Sequence, residues 1–260
     1  MLKKINGIKV NIILPNYNSG EFFEETINSI LNQTFKNWKL IIVDDGSDLD
    51  NKKILQKYAN HNKIKIVFLK KNKGAGFCRN LAIKHSKAEY IAFIDSDDIW
   101  HKNKLSDQIS FMLKNNYEFT YTNYVAFLNK ENSIKKKKII NTIKPPKKFN
   151  FNKFIHNTSI GTSTMILKRS LVQNIKFINT AICEDYFFKC KILKKINYAH
   201  CLPKVLTQYR IRPNSLQSNR FRNFYWIWYI NKNYNRLNLI NNLLSLFSIS
   251  FNSLTKYGLK

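Results

Sequence analysis

Acidic residues are few. The 260-residue chain carries 16 Asp and Glu against 44 Lys and Arg, a formal net charge of +28 at pH 7. An excess of that size attracts polyanions, which brings nucleic acid and anionic membrane surfaces into question. No RNP, helix-turn-helix or zinc-finger pattern accompanies the charge, which argues against nucleic acid. Lys, Asn and Ile are abundant everywhere, so codon drift in an AT-rich genome is an equal explanation. The four cysteines (Cys78, Cys183, Cys190, Cys201) lie far apart without CxxC spacing. This excludes a zinc ribbon or a disulfide framework and leaves reduced thiols in a cytosolic protein. The five histidines show no ligand spacing. No internal repeat is visible. No uninterrupted apolar run reaches the roughly 18 residues of a membrane span. The apolar run 10–14 is short and broken by Asn11, unlike a signal peptide.

Hydrophobic residues make up 44% of the chain, as in a globular protein. The length allows one large α/β domain, or one domain and an appendage. The most informative feature is Asp95-Ser96-Asp97-Asp98, directly after the apolar strand pattern 90–94. Three carboxylates in four residues repel one another. A hard divalent cation would balance them and could hold a phosphate-bearing ligand. A solvated acidic turn is the alternative.

The first half alternates strand and helix patterns. Strands are expected at 10–14, 40–43, 64–69 and 90–94, with helices at 21–33, 50–58 and 75–85. Ser19 or Asn18 is the expected cap of the first helix. Such alternation favours a mostly parallel sheet flanked by helices, with ligands beyond the carboxyl ends of the strands. Pro15-Asn16-Tyr17-Asn18, Asp44-Asp45-Gly46-Ser47 and the acidic tetrad each follow a strand and are expected at one rim. Further on, a helix is expected at 105–113, strands at 119–128, 164–167 and 199–209, and a helix at 184–194. The basic, proline-broken stretch 135–148 reads as a mobile loop, either a flap over the site or a solvated surface loop. The tail reads as two amphipathic helices, with aromatics at 221–230 and apolar residues recurring through 240–254. They fit an anionic membrane surface, or a cover for the domain or a partner subunit.

In order, Pro15-Asn16-Tyr17-Asn18, Ser29-Ile30-Leu31-Asn32-Gln33-Thr34, Val43-Asp44-Asp45-Gly46-Ser47, Arg79-Asn80, Asp95-Ser96-Asp97-Asp98 and Glu184-Asp185 resemble a family 2 glycosyltransferase of the GT-A fold. The likeness runs from about residue 10 to residue 215. It implies inverting transfer of a sugar from a nucleotide diphosphate, usually UDP, with Mn²⁺ or Mg²⁺ as cofactor. By motif position, Pro15, Tyr17, Asp44 and Asp45 would line the donor site, with Asp45 accepting from the base N–H. Without the resemblance, Asp44 and Asp45 read as a turn in which one carboxylate caps the next helix. Arg79 would approach the nucleotide or its diphosphate, the other reading being a surface arginine. Asp95 and Ser96 would lie at the ribose side. Asp97 would ligate the metal, and Asp98 would add a ligand or position the others. Asp185 would be the catalytic base, and Glu184 would bind the acceptor or orient the base; plain helix capping is the competing reading. Tyr209-Arg210-x-Arg212-Pro213-x-Ser215 is similar to a segment where many relatives carry His at the Arg212 position. Arginine is no metal ligand, but it can hold a diphosphate by a bidentate contact. Gln217-Ser218-Asn219-Arg220-Phe221 matches the Gln-x-x-Arg-Trp signature of processive synthases only in part and is read as coincidence.

The expectation is a GT-A-like domain over 1–215 and a basic, aromatic helical tail over 216–260. The expected activity is addition of one sugar to a saccharide or lipid-linked acceptor in bacterial surface polysaccharide synthesis. The place is the cytoplasm or the inner face of its membrane. Two rivals remain. A nucleotidyltransferase also gathers carboxylates and a metal at a sheet edge, but usually brings a glycine-rich, lysine-bearing phosphate loop. A basic polyanion-binding protein on a degenerate fold is the other.

Overall fold

The computed structural model describes residues 7–130, 133–212 and 219–257. Pro213, Ser215, Gln217 and Ser218 lie outside the described residues. Strands β1 (Val10–Asn16), β2 (Trp38–Asp44), β3 (Ile64–Phe68) and β4 (Tyr90–Phe93) alternate with helices α1 (Phe22–Leu31), α2 (Leu49–Gln56) and α3 (Ala75–His85). Then come β5 (Ile99–Trp100), α4 (Lys104–Asn115), β6 (Phe119–Lys130), β7 (Ser133–Ile143), β8 (Lys148–Phe149) and the short α5 (Phe151–Phe154). A 3-10 turn (Thr162–Thr164), β9 (Ile166–Lys168), a second 3-10 turn (Arg169–Val172), α6 (Glu184–Leu193), β10 (Ala199–Arg210), α7 (Arg220–Asn233) and α8 (Leu239–Tyr257) complete the chain. The strands form a single mixed sheet in the order β3-β2-β1-β4-β9-β6-β10-β5, with β7 on β6 and β8 on β10. β1 to β4 run parallel, β9 is antiparallel to both neighbours, and β6 and β10 are parallel.

Both faces of the parallel half are buried, because alternate side chains feed two cores. Ile12, Leu14, Leu40, Ile42, Tyr90 and Ala92 pack under α1 and α4. Ile13, Ile41, Val43, Ile91 and Phe93 pack under α3 and α6 on the opposite face. Ile227 and Ile230 of α7 and Ile249 of α8 join this second core. The Tyr186 hydroxyl donates to Asn231 Oδ1 at 2.7 Å, and the Ser245 hydroxyl to the Ile155 carbonyl at 2.5 Å. The tail helices therefore share the domain's interior.

Two local expectations are corrected. Residues 133–143 form β7, antiparallel to β6, where a loop was expected. Its lysines are the reason the stretch looks unstructured: charged side chains on an outer strand deter edge-to-edge pairing. Lys137 also pairs with Glu25 at 3.1 Å. At the start of α1 neither expected residue caps the helix; Glu21 occupies the position without a side-chain bond. Ser19 and Asn18 serve the rim instead: the Ser19 and Ser96 hydroxyls pair, and Asn18 Oδ1 accepts from the Asp48 N–H at 3.0 Å.

Lys104 opens α4 fully buried, with its Nζ 4.0 Å from the Trp100 ring centroid and no hydrogen-bond partner among the described residues. Burial holds its pKa well below the ordinary lysine value. The unfolded chain takes up the proton more readily, so this site costs stability increasingly as pH falls from about 10. Lys104→Met is expected to raise unfolding free energy by about 1–3 kcal/mol at neutral pH. The gain should shrink as pH approaches about 10, read by urea melts across pH.

Candidate active site

The carboxyl ends of β1, β2 and β4 bring three polar segments to one rim. Asp44 is fully buried. It accepts from Asn16 Nδ2 at 2.9 Å, the Ser47 hydroxyl at 2.5 Å and the Ser47 N–H at 3.1 Å. Asp45 accepts from the N–H groups of Lys73 and Gly74 at 2.7 and 2.8 Å, tying the segment after β3 to the end of β2. Each oxygen keeps a second lone pair for a further donor. The cap of α2 is neither of these but Asp48, which accepts from the Asn51 N–H at 2.9 Å. Gly46 has φ +76°, and a Cβ there would stand 2.9 Å from the Lys71 carbonyl carbon. Only glycine combines that backbone with that close approach. Pro15 is buried, and Tyr17 is half exposed at the same rim.

Arg79 is a buried residue at the centre of the site. Its Nη2 donates to Asp95 Oδ1 and its Nη1 to Glu184 Oε1, both at 2.7 Å. Burial opposes its charge, and Asp95, Glu184 and then Asp185 more than offset that, so it stays protonated. The surface-arginine reading fails, and residues 95 and 184, distant in sequence, meet across one guanidinium. Gly76 permits this: a Cβ there would come 2.9 Å from the Ile178 carbonyl oxygen and 3.0 Å from Glu184 Cγ. Its place in Gly74-Ala75-Gly76 thus has a packing reason.

The rest of the tetrad is divided. The Asp95 N–H donates to the Ser163 hydroxyl at 3.0 Å. Asp98 is fully buried, and its Oδ1 accepts from the Arg210 N–H at 2.9 Å. Burial, then Asp97 and Asp95, push the Asp98 carboxyl well above its ordinary pKa. Asp97 keeps an opening to solvent, with Arg212 Nη1 3.6 Å away. Burial and the charge of Asp95 raise its pKa to about 6. Arg210, missed as a site residue, knits the rim: Nε donates to the Asp97 carbonyl at 2.7 Å, Nη2 to Glu25 at 2.5 Å, and Nη1 to Asn129.

Asp185 sits in the first turn of α6, just after Cys183 turns the chain with φ +63°. Its Oδ2 accepts from Lys189 Nζ at 2.7 Å and the Thr162 hydroxyl at 2.9 Å. Burial alone would raise its carboxyl, but Lys189, then Arg79 and Thr162, bring it down to about 2. Neither Lys189 nor Thr162 was foreseen. For Lys189 the signal was present, an Asp and a Lys four apart on a helix. For Thr162 there was none. A cavity of about 450 Å³ opens beside Asp95 and Asp185, walled in part by Phe224 and Leu254 of the tail helices.

Among the described residues no three His, Cys, Asp or Glu side chains close around a metal. Metals that keep waters and substrate phosphates need only one or two carboxylates from the protein. Asp97, open to solvent and met among the described residues only by the long 3.6 Å contact from Arg212, fits that role; the buried Asp98 fits the role of holding the turn.

The sequence profile described as Glycosyl transferase family 2 matches residues 11–176. The Escherichia coli protein WfgD, a UDP-Glc:α-D-GlcNAc-diphosphoundecaprenol β-1,3-glucosyltransferase, is 36% identical over 223 residues, 84% of this chain and 83% of its own. S. aureus TarS 1–349 in complex with UDP-GlcNAc superposes with a TM-score of 0.71 at 22% identity, covering 95% of this chain and 73% of that one. The Pyrobaculum calidifontis mannosyltransferase PcManGT, in complex with GDP-Man and Mn²⁺, superposes at 0.68 and 15% identity, over 95% and 70%. The rim of converging carboxylates thus stands on a GT-A fold, and the chain belongs to glycosyl transferase family 2 as a glycosyltransferase.

Proposed function

We propose that the protein transfers one sugar, with inversion, from a UDP-sugar to a saccharide or lipid-linked glycan acceptor in bacterial surface polysaccharide synthesis. The observation that carries this reading is the Asp95–Arg79–Glu184 bridge, which sets the tetrad beside Asp185 at the mouth of one cavity. Pro15, Tyr17, Asp44 and Asp45 form the base side of the donor site. Asp95 and Ser96 lie towards the ribose. Arg79 acts through its two carboxylates, holding Asp95 and Glu184 in place. Arg212, partly exposed beside Asp97, is placed to meet a diphosphate. Asp97 would hold Mn²⁺ or Mg²⁺, with Asp98 fixing the turn; a cation held there would supply positive charge to neutralise the leaving nucleotide diphosphate. Asp185 accepts the proton of the acceptor hydroxyl as that oxygen attacks the anomeric carbon. Lys189 and Thr162 hold the carboxylate ionised and aimed. The test is a donor screen reading UDP or GDP release with Mn²⁺ present. Asp97→Ala is expected to lose Mn²⁺-dependent UDP binding in calorimetry. Mn²⁺-dependent UDP binding equal to that of the native chain would remove Asp97 from the ligand set.

Peripheral membrane association belongs to the same proposal. No helix among the described residues is long and apolar enough to cross a bilayer. Ile240, Leu243, Leu244, Phe247 and Phe251 are nonetheless exposed along one side of α8, on a strongly basic chain. Removing the whole tail would strip Ile227, Ile230 and Ile249 from the core. The informative variant is therefore Phe247→Glu with Phe251→Glu, expected to reduce flotation with phosphatidylglycerol vesicles. Unchanged flotation would exclude this stripe as the contact.

A further inference from the structure

The acidic turn rests on α1. Thr26 is fully buried, and its hydroxyl donates to the Asp98 carbonyl at 2.8 Å and stands 3.1 Å from that of Ser96. The carbonyl between these two, that of Asp97, is held from β10 by Arg210 Nε at 2.7 Å. Three successive carbonyls are thus pinned, which fixes the direction in which the Asp97 side chain leaves the turn. Arg210 is itself a buried cation in need of support. Its guanidinium lies against the Phe22 and Phe127 rings, 4.4 and 4.7 Å from their centroids. Among the described residues one carboxylate pairs with that guanidinium, Glu25 of α1 at 2.5 Å. Arginine stays protonated when buried, so loss of this partner would leave an uncompensated positive charge in the wall of the site. The charge of Arg210 already reaches the Asp97 carboxyl. A guanidinium turned to that carboxylate would release the carbonyl and stand where a cation should. The other oxygen of Glu25 accepts from Lys137 of β7 at 3.1 Å, so the residue has two arms.

Resting on the transferase reading, we infer that Glu25 is a positioning residue. It holds the Arg210 guanidinium on the Asp97 carbonyl and so keeps the Asp97 carboxylate open for a divalent cation. Its action runs through Arg210 and not through Lys137. A partner of this kind, one step removed from a metal ligand, orients the ligand and keeps competing charges away from it.

The experiment titrates the full chain with UDP by calorimetry, once with Mn²⁺ and once with EDTA. The ratio of the two affinities reads what the cation contributes. Glu25→Gln keeps the shape of the side chain and removes its charge. It is expected to lower the ratio at least about tenfold, the usual cost of losing the support of a metal ligand, with affinity in EDTA unchanged. Arg210→Lys keeps the charge but not the fork, and is expected to lower the ratio likewise; it decides the matter if Glu25→Gln does not fold. Lys137→Met removes the other partner of Glu25 and is expected to leave the ratio native. A native ratio in Glu25→Gln, whether affinity in EDTA is kept or falls by the same factor as affinity with Mn²⁺, overturns the inference and leaves the transferase reading standing. A loss in Lys137→Met as large as that in Glu25→Gln overturns it too, since the support would then run through β7. A native chain that binds UDP equally with Mn²⁺ and EDTA overturns the inference and the cation site at Asp97, but not the donor site. A native chain that binds no UDP in either condition overturns the transferase reading and the inference with it.

Discussion

Asp185→Asn is expected to lower sugar transfer by about 10²–10⁴-fold, the range for loss of a positioned general base, with UDP binding unchanged. Asparagine keeps the shape of the side chain and can still accept from Thr162 at its amide oxygen, so the cavity is preserved. What it loses is the capacity to take a proton. Comparison of transfer with UDP binding separates this from misfolding: binding survives and turnover does not. A variant that transfers sugar at the native rate would remove Asp185 from the chemistry. Lys189 adds a second readout. Burial pushes the Asp185 carboxyl up, and the ammonium 2.7 Å away does most to bring it down to about 2. At neutral pH the native base is therefore ionised, and its protonation leaves no acid limb above about pH 3. Lys189→Met removes the counter-charge and keeps the burial, so the carboxyl pKa rises. Activity of that variant should fall with acid at a higher pH than that of the native enzyme, and recover as pH rises. A uniform loss at all pH values would instead mark Lys189 as packing alone.

Much of this was legible in the sequence, because parallel strands write themselves as apolar runs with polar breaks. The patterns at 10–14, 40–43, 64–69 and 90–94 are close to β1 through β4, and the helix expected at 75–85 matches α3. The common rim followed from strand direction alone. Other parts were hidden for identifiable reasons. β7 is an outer strand whose lysines disguise its pairing. The outward residues of α7 and α8 gave the tail the look of an appendage, while Ile227, Ile230 and Ile249 face the same core as Phe93. Arg79 illustrates the harder limit. Its neighbours Asp95 and Glu184 are 16 and 105 residues away, and no local pattern records a three-way contact of that range.

That contact makes Arg79→Met the most damaging change expected for stability. Native Arg79 is buried, with one fork on Asp95 and the other on Glu184. Methionine fills much of the volume and removes the charge, so two carboxylates are left facing each other in a poorly solvated site. Breaking a buried ion pair in this way costs about 3–5 kcal/mol, read as a fall in the urea midpoint. The loss should depend on pH in one direction. Burial already raises Glu184 above its ordinary pKa even with Arg79 beside it. Without Arg79 the Glu184 carboxyl rises further, so the folded variant takes up a proton that the unfolded chain does not. Its deficit relative to the native protein is therefore greatest at neutral pH and narrows as pH falls towards the raised value. Glu184→Gln in the Arg79→Met background removes one of the stranded charges and is expected to recover part of the loss, whereas in the native background the same change destabilises. That reversal of sign is the coupling a double-mutant cycle reads. If the two substitutions were additive, the guanidinium would be holding Asp95 alone, and the link from the tetrad to α6 would have to run through Ser163 and the turn at Thr162 instead.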